Sequence, residues 1–286
     1  MSDDVILRAG TPDDAERLGN IVYDAFFKIS SDHNFPPDFP NPEIAIGLTE
    51  MMLARPDVYS VVAENGKVLG SNFLWEADEV DGVGPITVDP AVQNGSIGKR
   101  LMQDVIARSK ASGKRSVRLV QAAFHNRSLA LYTKLGFDTV EPLSGVNGPA
   151  FTVKIAGHNV RPMTDDDIET ADSVCRRVHA VSRKNEIAGS VEIGSGLVVE
   201  NAGRIAGYAT SIGMFGHAAA ETNDALKALI GSGQEIQGPG FLLPTRNNEV
   251  LRWCLANGLR IVQPLTLMSM GFYQEPRGAF IPSILY

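Results

Sequence analysis

Residues 88–98, V-D-P-A-V-Q-N-G-S-I-G, leave a chain few ways to fold. Ile86, Thr87 and Val88 form a β-branched run suited to a strand. Pro90 has no N–H to give to a ladder and stops that strand. From Ile97 onward the apolar residues Ile97, Leu101, Met102, Val105 and Ile106 recur at helical spacing. A strand therefore passes into a helix through one short loop, which points to an α/β fold. Gln93, Asn94, Gly95, Ser96, Ile97 and Gly98 then sit at the helix N-terminus, where unpaired N–H groups and the positive end of the dipole face outward. Such an arrangement holds a phosphate or diphosphate, and Gly95 and Gly98 let the backbone come close to one.

A second segment, residues 126–137, reads N-R-S-L-A-L-Y-T-K-L-G-F. Leu129, Leu131, Tyr132 and Leu135 mark a short amphipathic helix, with Asn126 placed to cap it and Gly136 to end it before Phe137 resumes an extended course. Together the two segments resemble the acyl-CoA-binding motifs of the GNAT superfamily of N-acetyltransferases. In that family a loop of form R/Q-x-x-G-x-G/A, after a V-D-P-like strand end, cradles the CoA diphosphate. The later helix supplies an Asn near the cofactor and a Tyr that acts as general acid. Gln93, Gly98, Asn126 and Tyr132 match in order, whereas Ser96 stands where the family has its first Gly. A small side chain there predicts altered phosphate contact rather than loss of the site.

The resemblance implies an acetyl-CoA-dependent transfer of an acetyl group to the primary amine of a small molecule, by direct attack in a ternary complex. It places CoA against Ile86, Thr87, Val88, the loop 93–98, Lys99, Asn126 and Ser128, with backbone N–H groups around residues 86–88 as the oxyanion donors. Tyr132 is then the acid, since a phenol can protonate a departing thiolate. For the base, Glu76, Asp78, Glu79 and Asp81 precede the central strand, and we rank Glu76 first; His33 and His125 are alternatives, and a solvated acidic turn is the plain reading of the cluster. The Pro-rich loop D-H-N-F-P-P-D-F-P, residues 32–40, offers Phe35, Asp38 and Phe39 to an acceptor, or serves only as a rigid connector. A CoA-binding sensor with little or no turnover is the alternative function.

With 44% apolar and 21% charged residues in 286, the chain can bury a substantial core. No apolar run approaches the ~20 residues of a membrane helix, and the start M-S-D-D is acidic. These features suggest a cytoplasmic protein with no membrane partner. A net charge of −7 argues against a nucleic-acid surface. Cys175 and Cys254 have no metal-binding spacing, and no metal is expected. A monomer and a homodimer are both open.

The chain also reads as a diverged tandem repeat. L-R-A-G-T-P-D-D-A from Leu7 and V-R-P-M-T-D-D-D-I from Val160 pair Arg8 with Arg161, Thr11 with Thr164, Asp13 with Asp166 and Asp14 with Asp167, all at an offset of 153. G-K-V-L-G at Gly66 matches G-R-I-A-G at Gly203, and the frame from Asn126 to Gly136 matches that from Asn248 to Gly258. The second copy lacks a diphosphate loop, and Cys254 stands where the first has Tyr132. We therefore expect a catalytic domain over residues 1–156 and a degenerate GNAT-like domain over 159–286. Each would be a mixed α+β unit with a largely antiparallel sheet flanked by helices. His217 and Glu221 of the second copy either reach the acceptor or pack internally.

In the first copy the expected strands are residues 5–8, 59–64, 67–75, 84–88 and 117–122, with closing strands near 137–140 and 151–155. The expected helices are residues 12–27, 41–53 and 97–112 and the segment from Asn126. Residues 272–286 are expected to pack a last strand on the second sheet.

Overall fold

A computed structural model describes residues 5–93 and 96–285 of the chain. Contacts divide it into two units. The first holds the residues up to Leu119, Phe124–Phe137 and Leu285; the second holds Val120–Ala123 and Asp138–Ile284.

The first unit runs β1 (Ile6–Ala9), α1 (Ala15–Asp32), α2 (Pro42–Ala54), β2 (Val58–Glu64), β3 (Val68–Trp75), β4 (Val80–Val83), β5 (Thr87–Val88), α3 (Ile97–Ala111), β6 (Ser116–Ala122) and α4 (Asn126–Leu135). Strands β1 to β4 pair antiparallel in order, turning between β2 and β3 at Gly66, whose φ of 64 suits glycine. Alternation along the strands sorts the two faces. Val62, Phe73 and Trp75 pack with Leu18 of α1 and Met52 of α2. On the opposite face Tyr59 donates to Asp104 of α3 at 2.9 Å, and Asn72 reaches the Leu101 carbonyl at 3.4 Å.

The expected strand 84–88 is broken. β4 lies earlier, in the acidic segment read as a turn, and pairs parallel with β6 over Val80–Gly82 and Ser116–Arg118. Gly84 then takes φ 136, a conformation an L side chain rarely adopts, and Pro85 offers no donor. Beyond them, among the described residues, β5 pairs with β3 alone. The sheet is therefore open along the edge of β5 that faces away from β3.

The second unit contains β7 (Asp138–Asn147), β8 (His158–Pro162), α5 (Ile168–His179), α6 (Lys184–Glu192), β9 (Leu197–Asn201), β10 (Arg204–Ala209), β11 (Ala218–Ala220), α7 (Asn223–Ile230), β12 (Phe241–Pro244), α8 (Asn248–Ala256), β13 (Arg260–Gly271) and β14 (Ala279–Ile281). One sheet has the order β14-β11-β10-β9-β8, and the anticipated C-terminal strand is the short β14 on β11. The end of β6 is followed in sheet order by β13, β7 and β12. Residues 151–155, expected as a strand beside β7, make only one bridge, Thr152 to Ser232. β7 is flanked instead by β13 and β12, both from the C-terminal half of the sequence. Val146, Phe241, Leu243, Val250 and Leu226 share one core there.

Candidate active site

The strand-to-helix loop is held by its polar side chains. Asp89 caps the turn after β5 by accepting from Ala91 N–H at 2.9 Å, and Arg17 of α1 pairs with it at 2.6 Å. Gln93 reaches back to the Val88 carbonyl at 3.1 Å, and its own carbonyl accepts from Arg127 of α4 at 3.2 Å. Asn94 and Gly95, both expected at the phosphates, lie outside the described residues. Ser96 has φ 64 and ψ 0, the left-handed conformation, and makes no side-chain cap to α3. That conformation gives a physical reason for glycine at this point of the motif.

The first helical bond of α3 is Arg100 N–H to the Ser96 carbonyl at 3.1 Å, so the N–H groups of Ile97, Gly98 and Lys99 precede the helical ladder. The Ile97 side chain is buried, while Lys99 is exposed. A methyl group added to Gly98 would meet only Leu131 and Val88, each at 3.8 Å, which is ordinary contact. Packing within the protein does not demand glycine here. The space is left open at the positive end of a helix, and it fits an anionic group.

The neighbouring edge of β5 has matching polarity. Asp89 N–H bonds Leu69 O at 2.8 Å on β3, and antiparallel alternation then turns the backbone groups of Ile86 and Val88 to the open side. Thr87 is buried, and its hydroxyl has no hydrogen-bond partner among the described residues.

On α4, Tyr132 is 6% exposed, and burial pushes its hydroxyl up to about 12, against a smaller opposing effect from a hydrogen bond to Ser128. Ser128 also bonds His125 Nδ1 at 2.7 Å. The cap position is His125 rather than Asn126, which is the first helical residue and is exposed. Gly136 ends the helix at φ 99, as its residue type predicts.

The loop after α1 is fastened to the start of α4. Phe35 stacks on Phe124 with centroids 4.1 Å apart, and the His33 ring lies 5.3 Å from Phe124. Phe39 meets Phe26 edge-on at 5.6 Å, and Asp38 accepts from Ser30 Oγ at 3.1 Å. All three expected acceptor residues are half-buried. Phe124 was missed from sequence, although it directly precedes His125 and the α4 motif.

Glu76 is placed elsewhere. Its carboxylate takes a two-pronged pair from Arg108, at 2.9 and 2.7 Å. Arg108 lies ten residues after Gly98 on α3, about 15 Å along the helix at 1.5 Å per residue. Lys114 binds the Glu76 and Asp78 carbonyls at 2.9 and 2.6 Å, and Arg115 lies 3.5 Å from Glu79. Asp81 is buried with Lys114 Nζ at 3.4 Å, and burial raises its carboxyl. The acidic cluster thus serves the basic C-terminal end of α3, where cations also complement the helix dipole.

The C-terminal half repeats the frame without the site. Arg8 grips Asp14 at 2.7 and 2.7 Å and Glu64 at 2.7 Å; Arg161 grips Asp167 at 2.6 and 2.8 Å and Glu200 at 2.7 Å. Phe137 N–H bonds Tyr132 O at 3.0 Å after Gly136, and Leu259 N–H bonds Cys254 O at 3.1 Å after Gly258. Yet α7 is capped by its own Thr222, whose hydroxyl accepts from Ala225 N–H at 3.2 Å. Cys254 is buried, and its thiol is pushed up to about 12. His217 is buried against Tyr208 at 3.0 Å, and Glu221 pairs with Arg177 at 2.9 Å and with Arg204.

Residues 19–137 match the acetyltransferase (GNAT) family. That stretch carries a GNAT acetyltransferase domain. An IAA acetyltransferase of Azospirillum brasilense is 32% identical over 101 residues, which are 34% of this chain and 65% of that relative's length. An acetyltransferase structure from Pyrococcus horikoshii superposes with a TM-score of 0.71 at 16% identity, covering 99% of this chain and 93% of the other. A GCN5-related N-acetyltransferase from Sphaerobacter thermophilus gives 0.61 at 14%, covering 96% and 97%. At these identities the likeness to the two structures is one of fold, and it runs through both halves of the chain. Among the described residues no helix is long and apolar enough to cross a membrane, and no cluster of His, Cys, Asp and Glu could hold a metal.

Proposed function

We propose that this chain is an acetyl-CoA-dependent N-acetyltransferase acting on the primary amine of a small molecule, with all its chemistry in the first half. The observation that carries this reading is the uncapped start of α3. Among the described residues Gly98 leaves room there, between Val88 at the open edge of β5 and Leu131 of α4, the helix that carries the buried Tyr132.

Acetyl-CoA supplies an activated acyl group. The N–H groups at residues 97–99 hold its diphosphate, helped by Lys99 and the loop 93–96. The Ile86 and Val88 amides on the open edge receive negative charge building on the acyl oxygen. Tyr132 gives its proton to the sulfur that leaves; burial keeps the phenol protonated throughout the neutral range. Phe35, Asp38 and Phe39 line the acceptor's approach. Glu76 has no part in this reading, because its carboxylate is spent on Arg108. We further propose that the two halves arose by duplication and divide near residues 156–159, the second keeping the frame alone.

The test is thiol release from acetyl-CoA across a panel of polyamines, amino acids, aminoglycosides and peptide N-termini. Tyr132→Phe should lower kcat by ~10²–10⁴-fold on the best acceptor, with acetyl-CoA affinity nearly unchanged. A variant within about twofold of wild type would remove Tyr132 from the chemistry. Tight CoA binding with no turnover on any amine would favour the sensor reading.

A further inference from the structure

Tyr132 presents a problem as a proton donor: once it has given its proton away, it sits in the interior and must recover one. His125, Ser128 and Tyr132 are three and four residues apart in turn, so they line one face of α4. Along this face burial falls from Tyr132 to the half-buried Ser128 and His125, next to the exposed Asn126 and Arg127. Ser128 bonds His125 Nδ1 at 2.7 Å and lies one helical turn before Tyr132 on the same face. We infer that Ser128 and His125 form a proton wire behind Tyr132, as positioning residues that set the direction of the phenol proton and restore it after each turnover. This inference rests on the proposed role of Tyr132.

A serine hydroxyl has one proton, so Ser128 donates to only one of its two neighbours. When His125 Nδ1 is bare, Ser128 donates to it, Tyr132 donates to Ser128, and the phenol proton points away from the reaction. When Nδ1 carries a proton the wire reverses. Nδ1–H donates to Ser128, Ser128 donates to the Tyr132 oxygen, and the phenol proton is free to face the leaving sulfur. Delivery then runs in one direction. The Tyr132 O–H bond breaks as an S–H bond forms, the Ser128 proton passes to the Tyr132 oxygen, and the Nδ1 proton passes to Ser128. The imidazolium of His125 ends as neutral imidazole and takes a proton from water, so the net transfer is one solvent proton to the thiol. Two cationic or titratable groups bear on His125, Arg127 of its own helix and His33 at the end of α1. With burial as the larger effect, they make the loaded form harder to fill, so it grows as pH falls.

The experiment uses the full chain with saturating acetyl-CoA and the best amine, in wild type, Ser128→Ala, His125→Gln, Tyr132→Phe and the paired variants. We expect Ser128→Ala and His125→Gln each to lower kcat about tenfold or more while KM for acetyl-CoA stays within twofold. We expect their double variant to lose no more than the worse single, and Ser128→Ala to cost nothing further in the Tyr132→Phe background. The wild-type to His125→Gln ratio of kcat should grow as pH falls through the His125 titration; the amine's own ionisation cancels in that ratio. An impaired Tyr132→Phe beside a fully active Ser128→Ala overturns the wire and leaves the acid assignment standing. Additive losses, or a pH-independent ratio, overturn it too. A fully active Tyr132→Phe removes the acid assignment and the wire with it.

Discussion

Gly98→Ala should push stability and cofactor binding in opposite directions. Among the described residues the added methyl group meets Leu131 and Val88 at 3.8 Å and nothing nearer, so none of them clashes with it. Alanine is favoured over glycine in a helix by up to ~1 kcal/mol, less in a first turn. For a chain of this size that corresponds to a rise in Tm of up to about 2 °C. The same methyl group occupies the space proposed for the diphosphate. Displacing one charge-assisted hydrogen bond costs ~1.5–3 kcal/mol, a ~10- to 150-fold rise in the Kd of CoA. A thermal melt without ligand and a calorimetric titration with CoA read the two effects separately. A Kd within twofold of wild type would show that the diphosphate does not use the space beside Gly98, the position where the R/Q-x-x-G-x-G/A motif also admits alanine. A fall in Tm without ligand would show that the space is already needed by the protein.

Ser96→Gly should relieve the strain of a left-handed serine, ~1 kcal/mol before the entropic cost of glycine; a lower Tm than wild type would count against it. In each half an Asp is held down by its Arg, Asp14 and Asp167 both moving from the ordinary 3.8 to about 2. A lowered carboxyl stabilises the fold above its unfolded value and loses that contribution as pH falls through the folded one. Up to about 2 kcal/mol from each pair should therefore vanish between about pH 4 and pH 2. Asp14→Asn and Asp167→Asn should each flatten that part of a denaturant-monitored pH profile by similar amounts, and a profile unchanged in both would dismiss the pairs. A chain ending at Gly157 keeps β7 but loses β12 and β13, which hydrogen-bond it on its two sides. It should be insoluble or self-associating; a monomeric, fully active fragment by light scattering and assay would contradict this.

The parts legible in sequence were those set by local chemistry. The β-branched run, the proline stop and the 3.6-residue repeat from Ile97 gave β5, its loop and α3. Tyr132, Gly136 and Phe137 gave α4 and its end. Paired Arg and Asp residues gave the two matching corners at Asp14 and Asp167. Long-range pairing was not legible. Nothing in residues 151–155 announces that β7 takes its neighbours from Phe241–Pro244 and Arg260–Gly271, because strand propensity does not name a partner. The pairing of Glu76 with Arg108 was not legible for a related reason. An acidic run looks the same whether it awaits a substrate or answers Arg108, Lys114 and Arg115 arriving from a helix end more than thirty residues later.

The same distinction separates what the two halves share from what they do not. Features that fold the chain are duplicated to within tenths of an ångström: the Arg–Asp–Glu corner, the capping boxes at Thr11 and Thr164, and the left-handed glycines at 136 and 258. At the start of α3 three features that cost the fold something meet at one point. A left-handed serine, a helix start without a cap and a glycine with no packing reason all weaken the first half, and none is needed to close a core. In the second half α7 satisfies its own N-terminus through Thr222, and a small buried thiol replaces the phenol. A helix that caps itself has no donors left for an anion at that point. Stability forgone at Ser96 and Gly98 has no return among the described residues, which supports the ligand proposed for the start of α3.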